Sequence, residues 1–265
     1  KALIALERMV GRITTHWVAV SQADRRQGIE WGLFTASKVS VVRPGIDPTA
    51  FAARIESPER DRLRAMLGVA PDQLLVGTVS CLKPQKSPED FVRVAALVCQ
   101  RVPAARCVLV GDGALRPKVE ALLLEQGLQD RVTLLGWRRD VAALLKAFDV
   151  FVLTSQWEGL PCAILEARAS RIPIVATRVG GAAEAIVEGI QGTLCPAGDV
   201  RAMAERVCQI LEDERFRVDL RTGTQELPEE FTIQETLKQY QSLYAYLLHA
   251  TRPSEDVMKL QPNRL

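Results

Sequence analysis

The hydrophobic pattern of the chain changes near residue 72, where short apolar runs begin to alternate with longer helical stretches. The apolar runs are rich in β-branched residues and are apolar at consecutive positions, which is typical of strands buried on both faces of a parallel sheet. Six strands are predicted in this way, at residues 74–80, 106–111, 131–136, 150–155, 172–177 and 192–196. Because strands and helices alternate, we expect an α/β domain with a doubly wound parallel sheet and right-handed crossovers.

The stretches between these strands carry the signals of helix ends. Residues 87–102 open with Ser87, Pro88 and two acidic residues, which is typical of a helix N-terminus. Residues 116–127 end in Gly127, a residue suited to the left-handed backbone of a helix C-cap. The remaining helices are predicted at residues 139–148, 161–170 and 198–213.

Two further segments flank this domain. Residues 1–45 hold helical pieces and two short strands, which is too little chain for an independent domain. They are either the tail of another domain or an edge of the same sheet. Residues 232–250 form an amphipathic helix, and residues 251–265 a loose tail. The chain is therefore divided into residues 1–45, a main domain at residues 46–230, and a C-terminal helix and tail at residues 231–265.

Composition and charge narrow the possible functions. The 265 residues carry a net charge of only +2, and the few aromatic residues do not interleave with lysine and arginine, so no nucleic-acid partner is expected. The six cysteines form no C-x-x-C pair, and neither of the two histidines has a cysteine close in sequence, which argues against a metal site. Reduced cysteines, and no run near the ~20 apolar residues of a membrane span, indicate a cytoplasmic protein.

Ligands of an open parallel sheet bind at the carboxyl ends of its strands, near the point where the strand order reverses. After the first predicted strand, Lys83 and Lys86 stand just before a helix start, where free N–H groups and the helix dipole favour an anion. The alternative is a solvated loop with two surface lysines. After the second strand, "GDGALR" has Arg116 where the dinucleotide fingerprint requires glycine, which disfavours a nicotinamide enzyme.

The fourth predicted strand is followed by two acidic residues, Glu158 and Glu166, around a predicted helix start at Pro161. A diphosphate fits against such a helix end, near the free amides of residues 159–162. Carboxylates repel phosphate but accept hydrogen bonds from sugar hydroxyls. The two acids therefore suit a nucleotide sugar, one binding a ribose and the other a hexose. The alternative is a pair of exposed acids.

After the fifth predicted strand, Gly180 and Gly181 permit a close backbone approach just before another helix start. A flexible turn would have the same sequence. Because four loops at one edge of the sheet share an anion- or sugar-binding character, the ligand interpretation is favoured.

The order of these motifs resembles the nucleotide-sugar-binding half of family 4 glycosyltransferases, which are retaining enzymes with the GT-B fold, formed by two Rossmann-like domains. The resemblance runs from about Val39 to the C-terminal helix. It includes, in the order of that family, the stretches "VVRPGID", "SCLKPQKSPEDF", "LVGDGALRPKVEAL", "VTLLGWRRDVAALLKAFDVFVLTS" and "EGLPCAILEARASRIPIVATRVGGAAE". Glu158 and Glu166 form the E-x7-E motif of the family.

The resemblance implies a role for each matching residue. Lys86 corresponds to the lysine on the donor diphosphate, Glu166 to the glutamate that holds the ribose hydroxyls, and Glu158 to the catalytic glutamate near the transferred sugar. The backbone that approaches the sugar and the phosphate is that of Gly159, Leu160, Pro161 and Cys162. Trp137 and Arg138 lie in the loop that faces the nucleobase. The family generally needs no bound metal, because cationic side chains and helix ends stabilise the leaving diphosphate.

Two departures from the family pattern matter. Cys81 stands where the family commonly has an arginine on the diphosphate, and Lys83 points elsewhere if the first strand continues as far as this lysine. In addition, a GT-B enzyme has an acceptor-binding domain before this one, and residues 1–45 resemble only the last helix and strands of such a domain. This chain alone is therefore expected to bind the donor without transferring its sugar.

The resemblance thus implies the donor-binding domain of an enzyme that transfers a hexose, with retention of configuration. The donor is a UDP- or GDP-linked sugar, and the acceptor is a glycan, a lipid-linked sugar or a small molecule. A peripheral contact with the inner face of the membrane is left open. Two alternatives also stay open. One is an inactive nucleotide-sugar-binding or regulatory module, which Cys81 favours, and the other is an epimerase of the same fold.

Overall fold

The computed structural model describes residues 2–52, 57–223 and 226–251. Its strands are β1 (Trp17–Ala19), β2 (Val39–Val41), β3 (Leu74–Val79), β4 (Ala105–Val110), β5 (Val132–Gly136), β6 (Val150–Leu153), β7 (Ile174–Thr177) and β8 (Gly192–Cys195). Its α-helices are α1 (Ala2–Ile13), α2 (Gln22–Glu30), α3 (Thr49–Ala52), α4 (Ser57–Met66), α5 (Pro88–Arg101), α6 (Arg116–Glu125), α7 (Val141–Ala147), α8 (Cys162–Ala169), α9 (Ala182–Ala185), α10 (Val200–Glu212), α11 (Glu214–Gly223) and α12 (Ile233–Thr251). Each of these helices is too short or too polar to cross a lipid bilayer.

The central sheet has six parallel strands in the order β5-β4-β3-β6-β7-β8. The chain enters the sheet in the middle at β3, moves outward to β5, returns to β6 and then moves outward to β8. Val76 of β3 pairs with Val150 of β6, so the strand order reverses between these two strands. The doubly wound parallel sheet predicted from the sequence is confirmed, and its crevice opens at the carboxyl ends of β3 and β6.

Two of the predicted strands are longer than the observed ones by two residues each. β6 ends at Leu153 rather than at residue 155, because the hydroxyl of Thr154 is hydrogen-bonded at 3.0 Å to backbone carbonyls of the loop that follows β3. β7 begins at Ile174 rather than at residue 172, since Pro173 has no N–H to donate to a neighbouring strand. Both strands therefore end where loop contacts replace the pairing of the sheet.

Helices cover both faces of the central sheet. Successive residues of β6 alternate between the faces, so that Val152 packs with α5, α6 and α10, whereas Phe151 packs with α7 and α8. Phe91 of α5 and Ile164 of α8 are fully buried in the two clusters. Each such side chain contributes about 1.5–3 kcal/mol by its burial. Because both faces are covered, only the edges and ends of the sheet are available to a ligand.

The N-terminal segment forms a separate two-stranded parallel sheet, in which Trp17 of β1 pairs with Val39 of β2. The suggestion that it extends the central sheet is therefore wrong. Helix α12, predicted at residues 232–250, returns to this segment, where the hydroxyl of Thr236 donates to the carbonyl of Arg43 at 2.8 Å. The predicted tail lies outside the described residues from position 252 onward. The division of the chain at residues 45 and 230 stays a prediction.

A buried carboxylate, Asp149, fastens the amino end of the central sheet. It accepts a hydrogen bond from the N–H of Leu75 at 2.8 Å and pairs with Arg64 and Arg60 at 2.9 Å each, while Arg221 lies 3.4 Å away. Burial raises the pKa of this carboxyl group, but the Leu75 N–H and the guanidinium groups outweigh burial and hold the pKa below its usual value. Asp149 thus ties α4 and α11 to the start of β3 and β6.

Candidate functional site

The loops that follow β3 and β6 meet at the carboxyl end of the central sheet, where the strand order reverses. The N–H of Gln156 donates to the carbonyl of Gln85 at 2.8 Å. The side-chain amide of Gln85 donates in turn to the carbonyl of Trp157 at 2.9 Å. The crevice expected from the strand order is therefore bordered by these two loops.

Glu158 lies at the centre of this junction and is only 8% exposed. Its Oε1 accepts hydrogen bonds from the hydroxyl of Ser155 at 2.6 Å and from the ammonium of Lys86. Its Oε2 accepts a longer one, 3.3 Å, from the side-chain amide of Gln85. The alternative that Glu158 is an exposed surface acid is wrong. Lys86 and Glu158, which the resemblance assigns to different parts of a ligand, form one ion pair.

Gly180 and Gly181 hold the loop of Glu158 in place. Gly180 has φ +46°, and a side chain at this position would overlap the carbonyl oxygen of Glu158. The N–H of Gly181 donates to the carbonyl of Gly159 at 2.6 Å. The close backbone approach predicted for these glycines therefore occurs, and it is made to the neighbouring loop. Only glycine fits at position 180, because both the left-handed backbone and the contact with the carbonyl of Glu158 exclude a Cβ.

Helix α8 begins at Cys162, one residue later than predicted, and Pro161 occupies its N-cap with φ −77°. The first N–H groups of a helix have no acceptor within the helix and carry a partial positive charge. Burial and the nearby carboxylate of Glu166 raise the pKa of the Cys162 thiol, and the charge of Lys86 opposes them. Cys162 and Glu166 are four residues apart on α8 and therefore lie on the same side of this helix.

Glu166 lies on the second turn of α8 and is half-buried. Burial raises the pKa of its carboxyl group, and across the described part of the chain no hydrogen bond or ion pair of this carboxylate offsets that effect. Desolvating a carboxylate without giving it a partner is unfavourable. The site therefore has an acceptor whose bonding capacity is free for the hydroxyl groups of a ligand.

Lys83, Trp137 and Arg138 lie outside this hydrogen-bonded junction. Lys83 is exposed, and because β3 already ends at Val79, the chain does not continue as a strand to this lysine. Trp137 follows β5 and is 70% exposed. Arg138 is hydrogen-bonded to Asp140 at 2.6 Å, which raises the pKa of the arginine. The predicted residues that the structure gathers around the crevice are Lys86, Glu158, Gly159, Leu160, Pro161, Cys162 and Glu166.

Two residues of the junction, Ser155 and Gln85, were not predicted from the sequence. Ser155 is fully buried and donates to Glu158, and Gln85 bridges the two loops. A polar residue directly after an apolar strand, as in "VFVLTS", was the available signal for Ser155. Gln85 carries no such signal, because a glutamine between two lysines is equally typical of a surface loop.

The N-terminal segment packs against the back of the same loop. A Cβ on Gly159 would lie 2.6 Å from Val20 and 3.1 Å from Asp24, and α2 supplies the second of these contacts. The carboxylate of Glu184 accepts hydrogen bonds from the N–H groups of Gln22 at 3.1 Å and Ala23 at 2.9 Å, which fixes the start of α2. The loop of Glu158 is thus held between the central sheet and the N-terminal segment.

The profile of the family "Glycosyl transferases group 1" matches residues 59–227. The chain is 28% identical over 242 residues to the UDP-Gal:alpha-D-GlcNAc-diphosphoundecaprenol alpha-1,3-galactosyltransferase of Escherichia coli, covering 90% of this chain and 62% of that protein. It is 31% identical over 184 residues to the N-acetyl-alpha-D-glucosaminyl L-malate synthase of Bacillus anthracis, covering 69% of this chain and 48% of that protein. The chain therefore spans about half to two thirds of the length of these relatives.

Solved structures give the same picture. Anabaena Alr3699/HepE in complex with UDP-glucose superposes with a TM-score of 0.78 at 27% identity, covering 87% of this chain and 64% of that one. The sucrose-phosphate synthase of Thermosynechococcus elongatus superposes with a TM-score of 0.79 at 26% identity, covering 92% of this chain and 62% of that one.

Proposed function

The chain belongs to the group 1 glycosyl transferases, and from this premise we propose that it is the donor-binding half of an enzyme that transfers a hexosyl group from a nucleotide-diphosphate sugar. The observation that carries the proposal is the junction of the loops after β3 and β6, which places Lys86, Glu158 and the start of α8 at the reversal point of the sheet. We assign the enzyme to family 4, with retention of configuration, and the chain to the C-terminal half of a GT-B fold.

UDP is the proposed nucleotide. It is supported by the UDP-galactose in the name of the Escherichia coli relative and by the UDP-glucose bound to Alr3699/HepE. The carboxylate of Glu166 accepts hydrogen bonds from the ribose hydroxyls, since it is partly desolvated and has no hydrogen-bond or ion-pair partner among the residues that the structure describes. Exposed Trp137 offers a face for the base, and Arg138 borders it. GDP, which the sequence leaves equally open, is the competing nucleotide.

The charge of the donor diphosphate is compensated by Lys86 and by the free amides of α8, with Lys83 as a second cation. In this arrangement, Lys86 turns from Glu158 to the diphosphate when the donor enters. The carboxylate of Glu158 then accepts a hydrogen bond from a hydroxyl group of the hexose. It acts as the catalytic group near the transferred sugar. We propose that no bound metal takes part, because these groups already offset the charge of the leaving nucleotide.

The acceptor is bound by a second domain. Helix α1 supports this, because it exposes a row of apolar side chains beside the two-stranded sheet: Leu3, Leu6, Met9, Val10 and Ile13. An amphipathic helix with its apolar side uncovered suits a packed partner domain. We place the enzyme in the cytoplasm at the inner face of the membrane, supported by the diphosphoundecaprenol acceptor in the name of the Escherichia coli relative.

Thermal unfolding with a panel of nucleotides tests the proposal. Saturating UDP or a UDP-sugar should raise the Tm by about 5–10 °C, since a ligand at 100 times its Kd adds about 2.7 kcal/mol. Glu166→Ala should abolish the shift, whereas Glu205→Ala, at an exposed position of α10, should retain it. If no nucleotide or nucleotide sugar raises the Tm of the parent chain, the binding proposal is wrong.

A second candidate is a nucleotide-sugar-binding module without catalysis, which Cys81 favours. Cys81 is half-buried, its carbonyl accepts the N–H of Lys83 at 2.9 Å, and its side chain supplies no charge to a diphosphate. Transfer of hexose from UDP-glucose or UDP-galactose by the chain joined to its acceptor domain would exclude this candidate. Binding without transfer, followed by activity in Cys81→Arg, would favour it.

A further inference from the structure

A second cleft lies at the opposite end of the central sheet from the Lys86–Glu158 pair. Its volume is about 330 Å³, within the range of small-molecule sites. Phe148 and Ile172 line it, and these residues shortly precede β6 and β7, so the cleft opens at the amino ends of these strands. The remaining walls come from α3, α4, α7 and α11 and from the turn after α8.

The cleft carries an excess of positive charge. Among the described residues that line it, none is acidic and four are cations: Arg60, Lys146, Arg171 and Arg221. Arg60 and Arg221 share the single carboxylate of Asp149 with the buried Arg64. Burial lowers the pKa of Arg221, and although Asp149 raises it, the charge of Arg60 lowers it again. A bound anion would relieve this repulsion.

Two hydrogen-bond donors of lining residues are buried without an acceptor among the described residues, namely the hydroxyl of Ser170 and the Nε–H of Arg221. Buried donors are nearly always bonded, so the polar groups beneath this wall of the cleft are incompletely satisfied. The adjacent Arg171 has φ +56°, a backbone conformation that disfavours side chains other than those of glycine, asparagine and aspartate. The backbone at this position does not favour an arginine. The positive charge that Arg171 adds to the cleft gives a reason for one.

We propose that this cleft binds a small organic phosphomonoester. A phosphomonoester carries a charge of about −1.5 to −2 and three acceptor oxygens. The guanidinium groups of Arg171 and Arg221 donate hydrogen bonds to these oxygens, which offsets the excess charge. The organic part of the ligand lies against the aromatic side chains of Phe51 and Phe148, which line the other side of the cleft.

Isothermal titration calorimetry with phenyl phosphate tests this proposal. Arg171→Gly removes a cation and suits the left-handed backbone, so this variant should be at least as stable as the parent chain. Binding of phenyl phosphate should weaken about tenfold in Arg171→Gly, since this variant loses a hydrogen bond to a charged group. Arg215→Gln is the matched control, because Arg215 is an exposed arginine of α11 outside the cleft.

The variant Lys86→Gln distinguishes binding at the two ends of the sheet. We expect this variant to bind phenyl phosphate as the parent chain does. Loss of binding in Lys86→Gln together with full binding in Arg171→Gly would place the anion in the crevice and overturn the proposal. It is also overturned if the parent chain does not bind phenyl phosphate, or if Arg215→Gln weakens binding as much as Arg171→Gly does.

Discussion

A carboxylate lies at each end of the central sheet, one buried and one half-buried. The two differ in how their charge is compensated. Asp149, at the amino end, has a backbone N–H and arginine partners, and its pKa lies below the usual value. Glu166, at the carboxyl end, has a raised pKa, because burial raises it and no hydrogen bond or ion pair with the described residues opposes burial. The comparison teaches that a buried carboxylate points to a ligand where its partners are missing or can be exchanged for groups of a ligand.

Glu158 combines features of both acids. Like Asp149 it is buried and hydrogen-bonded on both oxygens. Its partners, however, are side chains of the loops around the crevice rather than groups inside the fold. One of them, Lys86, is also the cation that a diphosphate would use. A ligand can therefore replace the groups that compensate the charge of Glu158.

The largest effect is expected for Asp149→Ala. The substitution leaves Arg64 and the N–H of Leu75 buried without their acceptor, which should lower the free energy of unfolding by about 3–5 kcal/mol. Urea denaturation measures the change, with Asp130→Ala as the control at an exposed position, expected within about 0.5 kcal/mol of the parent chain. Equal stability of the two variants would contradict a structural role for Asp149.

The second-largest loss of stability is expected for Gly180→Ala. Its Cβ overlaps the carbonyl of Glu158, so the free energy of unfolding should fall by more than the ~1–2 kcal/mol that a left-handed backbone alone costs. Gly127→Ala is the matched control, since Gly127 has φ +64° and open space around it. Stabilisation by UDP-glucose should be lost in the first variant and kept in the second, as measured by thermal unfolding. The same stability cost in both would show that the contact with Glu158 is unimportant.

Ser155→Ala should cost about 1.5 kcal/mol, because it removes a buried hydrogen bond to the charged Glu158. Its Tm increase with UDP-glucose should be smaller than that of the parent chain, since Glu158 is less firmly placed. Ser242→Ala, whose hydroxyl bonds an exposed helix carbonyl, should change neither quantity. A full response to UDP-glucose in Ser155→Ala would mean that Glu158 is positioned by its other partners.

The smallest change, of opposite sign, is expected for Glu166→Gln without ligand. Because burial raises the pKa of Glu166 above 4.5, the folded chain holds this proton more tightly than the unfolded chain. Stability is therefore lost as the pH rises from 4.5 through the raised pKa, and the loss is complete above it. Glutamine does not ionise, so the variant should be more stable than the parent chain at pH 8 and equal to it below about pH 4.

Urea denaturation at the two pH values measures this difference. Asp149 should behave in the opposite way, because its lowered pKa gives a stabilisation that is present above pH 3.8 and is lost as the pH falls through the folded value. If Glu166→Gln is less stable than the parent chain at pH 8, Glu166 has a partner in the folded chain and the comparison with Asp149 fails.

The sequence was informative where one local pattern decides the structure. Consecutive apolar residues in runs such as "RCVLVG" identify buried parallel strands, and Pro161 marks the start of α8 to within one residue. Contacts between distant segments could not be predicted in this way. Lys86 and Glu158 are 72 positions apart, and Arg64 lies 85 positions from Asp149. Their pairing depends on loop paths and helix packing, which a single sequence does not encode in any local pattern.

The Lys86–Glu158 ion pair has a consequence for the order of events during turnover. In the proposed arrangement, an intact nucleotide sugar gives each side chain a new partner, since the diphosphate pairs with the ammonium of Lys86 and a hexose hydroxyl donates to the carboxylate of Glu158. The nucleotide diphosphate that is left after transfer has no hexose. If it stays paired with Lys86, Glu158 is left buried without its main counter-charge. Re-formation of the pair therefore opposes binding of the product more strongly than binding of the substrate. On this basis the crevice favours release of the nucleotide once the sugar has gone.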